Sequence, residues 1–357
     1  MPDKMTSRER IRTTLCKGVP DRVGMHESPW GETIDRWRKE GLPENKSVTD
    51  YFDMDFGGIG GLNTTFMFPA QTIEDTPEYS ISKDANGVTA KRFKKKSGFT
   101  PHWIDHVIKG QKEWDEHAHR LVPKSERIPK DIKANAEKAY ASNRYIFLGH
   151  ADPYEHAWPI FGQAQIWMLM MDDPDFVARV MMTFADLFVG LYKMLDDMGV
   201  VYDGVFMPAD LGYRNATLFA PRLYNELVWP AHKKIVDYQH DHGRQVICHS
   251  CGKIDVLIPK FIEAGFDAIQ PLEAKCGQDV RELKKLYGGK IAFFGNIDIR
   301  KLSGTRKDVE EEVVSKIEVA KQGGGYIFHS DHSVPPTVSF ENYCYAVELV
   351  KKHGRCS

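Results

Sequence analysis

From Tyr145 onward the chain alternates between two hydrophobic rhythms. Short apolar runs, rich in β-branched and aromatic residues, are each followed by a longer segment in which apolar positions recur every three or four residues. The short runs are "YIFLGH" (Tyr145–His150), "YDGVFM" (Tyr202–Met207), "QVICHS" (Gln245–Ser250), "DAIQP" (Asp267–Pro271), "KIAFFGN" (Lys290–Asn296) and "GYIFHS" (Gly325–Ser330). The longer segments run over Pro174–Gly199, Pro221–Gly243, Lys253–Gly265, Gln278–Gly288, Arg306–Gly323 and Ser339–Gly354. Each ends at a glycine, the residue that most readily leaves a helix, and Pro174 and Pro221 stand in a first turn, where a missing N–H costs nothing. Pro230 is expected to bend its helix. Strand-period and helix-period segments in strict alternation are the signature of parallel βα units.

The front of the chain is less regular. "RVGMHE" (Arg22–Glu27) reads as one further strand and Gly31–Gly41 as a helix. Residues 51–100 read as an insertion or N-terminal extension. There "DANG" (Asp84–Gly87) is a turn between a run ending near Ile81 and one starting near Val88, which predicts a hairpin. The basic stretch Lys91–Lys96 reads as its solvated edge. Six rear strands and one or more front strands favour a closed (β/α)8 barrel over an open sheet. We therefore expect a single barrel domain over residues 1–357, most regular over 140–357. No Gly-x-Gly-x-x-Gly follows a strand, which removes the usual dinucleotide fingerprint. "GGIGG" at Gly57–Gly61 precedes no clear helix, and "QGGG" at Gln322–Gly325 joins a helix to a strand.

Composition adds exclusions. With 48 Lys plus Arg against 50 Asp plus Glu, the formal charge of −2 gives no reason to expect nucleic acid or an anionic membrane as partner. No run approaches the ~20 apolar residues of a membrane span, and the charged N-terminus lacks the apolar core of a signal peptide. Six scattered cysteines do not form an extracellular disulfide framework. A cytoplasmic protein with mostly free thiols is expected.

In a barrel the active site lies where the strands finish. Those ends carry His26 and Glu27, His150 and Asp152, Asp210, His249 and Cys251, Gln270 and Glu273, Asn296 and Asp298, then His329, Asp331 and His332, while Lys, Arg and plain loop residues read as dominating the opposite ends. His249-x-Cys251 can place an imidazole and a thiolate on one ion, the pair of ligands zinc favours. Further ligands must come from other strand ends; His332 is the first candidate and Glu273 the next. Cys248, of opposite parity, reads as packing, and Cys276 as a minor candidate. Asp331 suits a carboxylate supporting a ligating histidine.

Four stretches, "LFAPRLYNELVWPAHKKIVDYQHDHG", "VICHSCGKIDVLIPKFIEAGFDAIQPLE", "IAFFGNIDIRKLSG" and "GGYIFHSDHSVPPTVSFENY", resemble the uroporphyrinogen decarboxylase superfamily over nearly the whole chain. The resemblance implies a (β/α)8 barrel with N-terminal additions. It includes both porphyrinogen decarboxylases and cobamide-dependent methyltransferases. The decarboxylases carry a Met-Arg-Gln-Ala-Gly-Arg type of stretch near the N-terminus, where this chain has "HESPWGETIDRW". The methyltransferases hold zinc with His-x-Cys and a distal cysteine. "HSC" matches residue for residue at His249 and Cys251, but the distal position is His332, a histidine that the decarboxylases also carry. "WGETIDRW", "QPLEAKCG" and "HSDHSVPP" resemble the group that removes O-methyl groups from methoxylated aromatics. The resemblance implies Zn2+ as Lewis acid and a methyl group moved between a small methylated substrate and the cobalt of a cobamide. The chain has no Asp-x-His-x-x-Gly of its own, so the cobamide is expected on a small corrinoid-binding partner.

On this reading His249, Cys251 and Glu273 or His332 bind the metal. Asp210, Glu27 or His150 orient substrate or relay a proton, and Trp30, Tyr154 and Trp158 line the pocket. Two alternatives stand beside it: a metal-free decarboxylase or lyase using Asp and His as acid and base, and a methyltransferase whose acceptor is a thiol.

Overall fold

Apolar strands wrapped by amphipathic helices can bury both faces of a parallel sheet only by closing it or covering it. In the computed structural model, which describes residues 3–94 and 101–356, eight parallel strands form a nearly closed barrel. They are β1 (Gly24–Met25), β2 (Phe56–Gly58), β7 (Tyr145–Gly149), β8 (Gly204–Pro208), β9 (Gln245–Ser250), β10 (Ala268–Pro271), β11 (Ala292–Phe294) and β12 (Tyr326–Phe328), paired in the order β1-β12-β11-β10-β9-β8-β7-β2. The four numbers between belong to a separate antiparallel sheet: β3 (Gln71–Asp75), β4 (Tyr79–Lys83), β5 (Val88–Phe93) and β6 (His102–His106).

β1 and β2 are joined through one residue. The Asp55 N–H donates to the Met25 carbonyl at 2.8 Å, and its carboxylate accepts the Met25 N–H at 2.8 Å. Arg10 and Arg22 both pair with the same fully buried carboxylate. Asp203 and Asp267, just before β8 and β10, likewise accept the N–H groups of Ile146 and Val246 on neighbouring strands. Aspartates therefore stand at the starting ends of the strands as well, a correction to the expectation that Lys, Arg and plain loop residues dominate there. The helix Ser7–Leu15 plugs this lower mouth, with Ile11 and Leu15 packed among Phe56, Tyr145, Ile247 and Ile327 inside the barrel.

Two further expectations change. The predicted hairpin exists as β4–β5, but it is the centre of a four-stranded sheet; Lys95 and Lys96 lie outside the described residues. The Gly57–Gly61 stretch begins with β2, paired to β7. Near Pro230, the helix of Pro221–Asp241 contains a π-helical segment, Tyr224–Val228, immediately before Trp229–Asp241. Proline offers no N–H to the preceding turn, and a wider turn absorbs the missing bond. No helix among the described residues is long and apolar enough to cross a membrane.

Candidate metal centre

Successive residues of a strand face opposite sides of the sheet. On β9, Ile247 packs inside the barrel, whereas Val246 and Cys248 face the helical layer. This parity turns His249 toward the barrel mouth, and the chain beyond the strand brings Cys251 Sγ to 3.5 Å from His249 Nε2. Asp210, two residues past β8, accepts the Cys251 N–H at 2.9 Å and lies 3.4 Å from His249 Nε2. The donor atoms of Asp210, His249 and Cys251 lie within 4.8 Å of one another, and so do those of Cys251, Glu273 and His332. Cys251 belongs to both groups.

Neighbouring loops hold these groups. Gly252 has φ +79°, and a Cβ there would lie 2.4 Å from the Gly212 carbonyl carbon; glycine lets the loop after β8 rest directly on the Cys251 segment. Glu273 pairs with Lys275 Nζ at 3.2 Å and accepts the Cys276 thiol at 3.0 Å. Asp331 does not support a histidine, contrary to expectation. Its two oxygens accept the N–H groups of Ala274 and Ile299, both at 3.0 Å, and so tie the Glu273 loop to the loop after β11. Burial, with the charges of Asp298 and Glu273 adding to it, pushes Asp331 up to about 6.

Electrostatics at the cluster follow from one half-buried thiol among carboxylates. Burial, then the charges of Asp210 and Glu273, push Cys251 far above its ordinary value. Burial works against charge on His249, but the hydrogen bond and charge of Asp210 outweigh it and the net shift is upward. Burial likewise opposes the Asp210 carboxylate, yet His249 brings it below the usual range. His332 is shifted down by burial and by Lys275, which favours the neutral imidazole that can ligate. A thiol, two imidazoles and two carboxylates converging form the kind of mixed S/N/O donor set that suits zinc. A cavity of about 460 Å³ reaches the cluster at Cys251 and Glu273; its wall also includes Tyr213, Arg214, Lys275 and Arg300. A second cavity, of about 510 Å³, lies against β2 beside Asn135, Lys138 and Arg144 and gathers none of these donors.

Not every expected residue joins the cluster. His150 has the outward parity of Ile146 and Leu148; its ring nitrogens meet the Ala151 carbonyl and the Tyr192 hydroxyl, and it packs on Phe188. Glu27 shares the outward parity of Met25. It is buried and accepts from Ser28 N–H at 3.0 Å, Ser330 N–H at 3.2 Å and Tyr343 O–H at 3.1 Å. Neither reaches the cavity wall. Trp30 stands edge-on to His332, with ring centroids 6.1 Å apart. Trp158 packs on Trp103 of β6, and fully buried Tyr154 accepts the Trp167 indole N–H at 3.0 Å; neither lines the cavity. Sequence reasoning missed Arg214, on a loop, and Lys275 and Arg300, in helical turns too short to show a period. It also missed Glu155, one residue after Tyr154. Burial first, then the Asp210 charge, pushes Glu155 up to about 8, and its Oε2 is buried with no hydrogen-bond partner among the described residues.

Comparison with known proteins agrees with this architecture. The sequence pattern of the uroporphyrinogen decarboxylase (URO-D) family matches residues 153–353. A uroporphyrinogen decarboxylase of Pseudoalteromonas translucida (strain TAC 125) is 30% identical over 132 residues, 35% of this chain and 35% of its own length. One from Legionella pneumophila (strain Corby) is 34% identical over 88 residues, 25% of this chain and 24% of its own. The chain thus aligns with about a third or less of these relatives' length. A methyltransferase from Methanosarcina mazei shares the fold over 98% of this chain and 99% of its own, with a TM-score of 0.67 and 12% identity.

Proposed function

The chain belongs to the uroporphyrinogen decarboxylase family, and on that premise we propose that it is a methyltransferase, moving a methyl group between a small methylated substrate and the cobalt of a corrinoid carried by a separate protein. The observation that carries the reading is the convergence of His249, Cys251, Asp210, Glu273 and His332 beside one cavity. A methoxylated aromatic is the substrate class we favour. The fold shared with the Methanosarcina mazei methyltransferase accords with the reading.

Cys251 with His249 and Asp210, or with Glu273 and His332, would hold a divalent ion, and zinc bound there supplies Lewis acidity toward the ether oxygen as it departs. The chain's own groups do the remaining work. Asp210 fixes the Cys251 backbone by accepting its N–H and so sets where the thiol points. Glu155, pushed up to about 8 by burial and the Asp210 charge, keeps a proton next to Asp210, its Oε2 buried and without a partner among the described residues. Trp30 stands edge-on to His332, and Tyr213 lines the cavity.

The test is methyl transfer with a purified corrinoid protein, offering a methoxyaromatic, a methylated amine and a thiol in parallel. Cobalt methylation with the methoxyaromatic is expected; no transfer in either direction with any of the three ends the proposal. A metal-free decarboxylase is the second reading, favoured by the named activity of the curated relatives. It requires full activity after chelation, whereas the methyltransferase reading requires activity to be lost and restored by added zinc.

A further inference from the structure

Gln270 lies directly opposite His249 in the β9–β10 pairing. Its side-chain Oε1 meets His249 Nδ1. The other ring nitrogen, Nε2, faces Cys251 Sγ at 3.5 Å and Asp210 Oδ1 at 3.4 Å. The far end of the Gln270 amide is also engaged. Its Nε2 lies 3.3 and 3.4 Å from the two ring nitrogens of His329. His329 donates from Nδ1 to the Ser330 carbonyl at 2.6 Å, and its Nε2 is 3.3 Å from Glu27 Oε1. Glu27 is in turn held by Ser28, Ser330 and Tyr343. A line of polar contacts thus crosses the barrel mouth from His249 through Gln270 and His329 to Glu27, and its last three members are buried.

An amide oxygen can only accept a hydrogen bond, so it pairs with an imidazole nitrogen only when that nitrogen bears the hydrogen. We propose that Gln270 is a positioning residue: by accepting from His249 Nδ1–H it turns the opposite ring nitrogen, Nε2, toward Cys251 and Asp210, with its own amide packed against His329. A buried acceptor left without its donor is costly, so the contact resists rotation of the ring. The consequence for metal binding rests on the functional reading above; the tautomer does not.

The tautomer is read on the metal-free full-length protein with 15N-labelled histidine, at mildly alkaline pH, by long-range 1H–15N correlation, with His249 assigned by the signals lost in His249→Asn. A protonated Nδ1 is expected; an Nδ1 without its proton overturns the proposal. Zn2+ affinity is then measured by competition with a chromophoric chelator. Gln270→Leu, which removes the acceptor, is expected to weaken Zn2+ binding by about 10–100-fold, the range for lost support of a ligating histidine. Gln270→Glu keeps an acceptor oxygen and is expected to bind like the wild type. Equal affinity in the wild type and Gln270→Leu overturns the proposal. A wild type that binds no Zn2+ refutes the functional reading instead, and the spectrum alone then decides the role of Gln270.

Discussion

At the scale of single residues, the shared position of Cys251 makes the remaining donors unequal to it. Replacing His332 with Ala leaves Asp210, His249 and Cys251 together, and replacing Asp210 with Asn leaves Cys251, Glu273 and His332. Each change should weaken Zn2+ binding by about 10–100-fold without abolishing it, as read by chelator competition. A complete loss from either single change would mean that one trio alone is the site. His26 gives a separate prediction. It is half-buried among Phe56, Phe147 and Phe294, with Nδ1 unpartnered among the described residues, and desolvation, with His329 adding, pushes it from 6.5 down to about 3. The unfolded chain takes up this proton below about pH 6.5 and the folded chain does not, so stability falls as pH drops through that window, by about 1.4 kcal/mol per pH unit. His26→Leu should therefore gain on the wild type as pH is lowered from 6 to 4; denaturation midpoints that move in parallel would contradict it. The site residues were legible where strand parity could be counted. His249 keeps step with Ile247 inside, while His150 keeps step with Ile146 and Leu148 outside and Glu27 with Met25. Position at a strand end alone did not separate these cases, and Glu155 and Arg214 carried no periodic mark at all.

At the scale of elements, the lower mouth of the barrel depends on one carboxylate. Asp55 bridges β1 to β2 and receives Arg10 and Arg22. Asp55→Ala removes the carboxylate that Arg10 and Arg22 share, leaving them Asp21 and Asp3 alone, and opens the seam between β1 and β2, so a loss of about 3 kcal/mol is expected in chemical denaturation. A change under about 1 kcal/mol would show that the seam is held by packing of Ile11 and Leu15 instead. The six rear strands were legible because each is an apolar run bounded by turns and followed by a 3.6-period segment. β2 was not, since it has three residues and two are glycine. The outer strands β3 and β6 were hidden for another reason: "QTIED" and "HWIDH" are largely exposed and polar, so no buried face imposes a period on them.

For the whole molecule, a barrel with its lower mouth plugged and its upper mouth lined with metal-ligand types has one end free for chemistry. The proposed reaction needs a second protein there, so the chain alone, given a methoxyaromatic and zinc, should turn over nothing, and adding the corrinoid protein should start the reaction. Steady turnover without it would remove the partner from the account. The central claim is that Cys251 and its neighbours bind a divalent ion, and the zinc content of freshly purified protein tests it most directly. Mass spectrometry of the metals should find about one zinc per chain in the wild type, as a single site of this ligand set requires, and almost none in Cys251→Ala. A wild type without bound divalent metal, or a Cys251→Ala variant that retains it, would contradict the account.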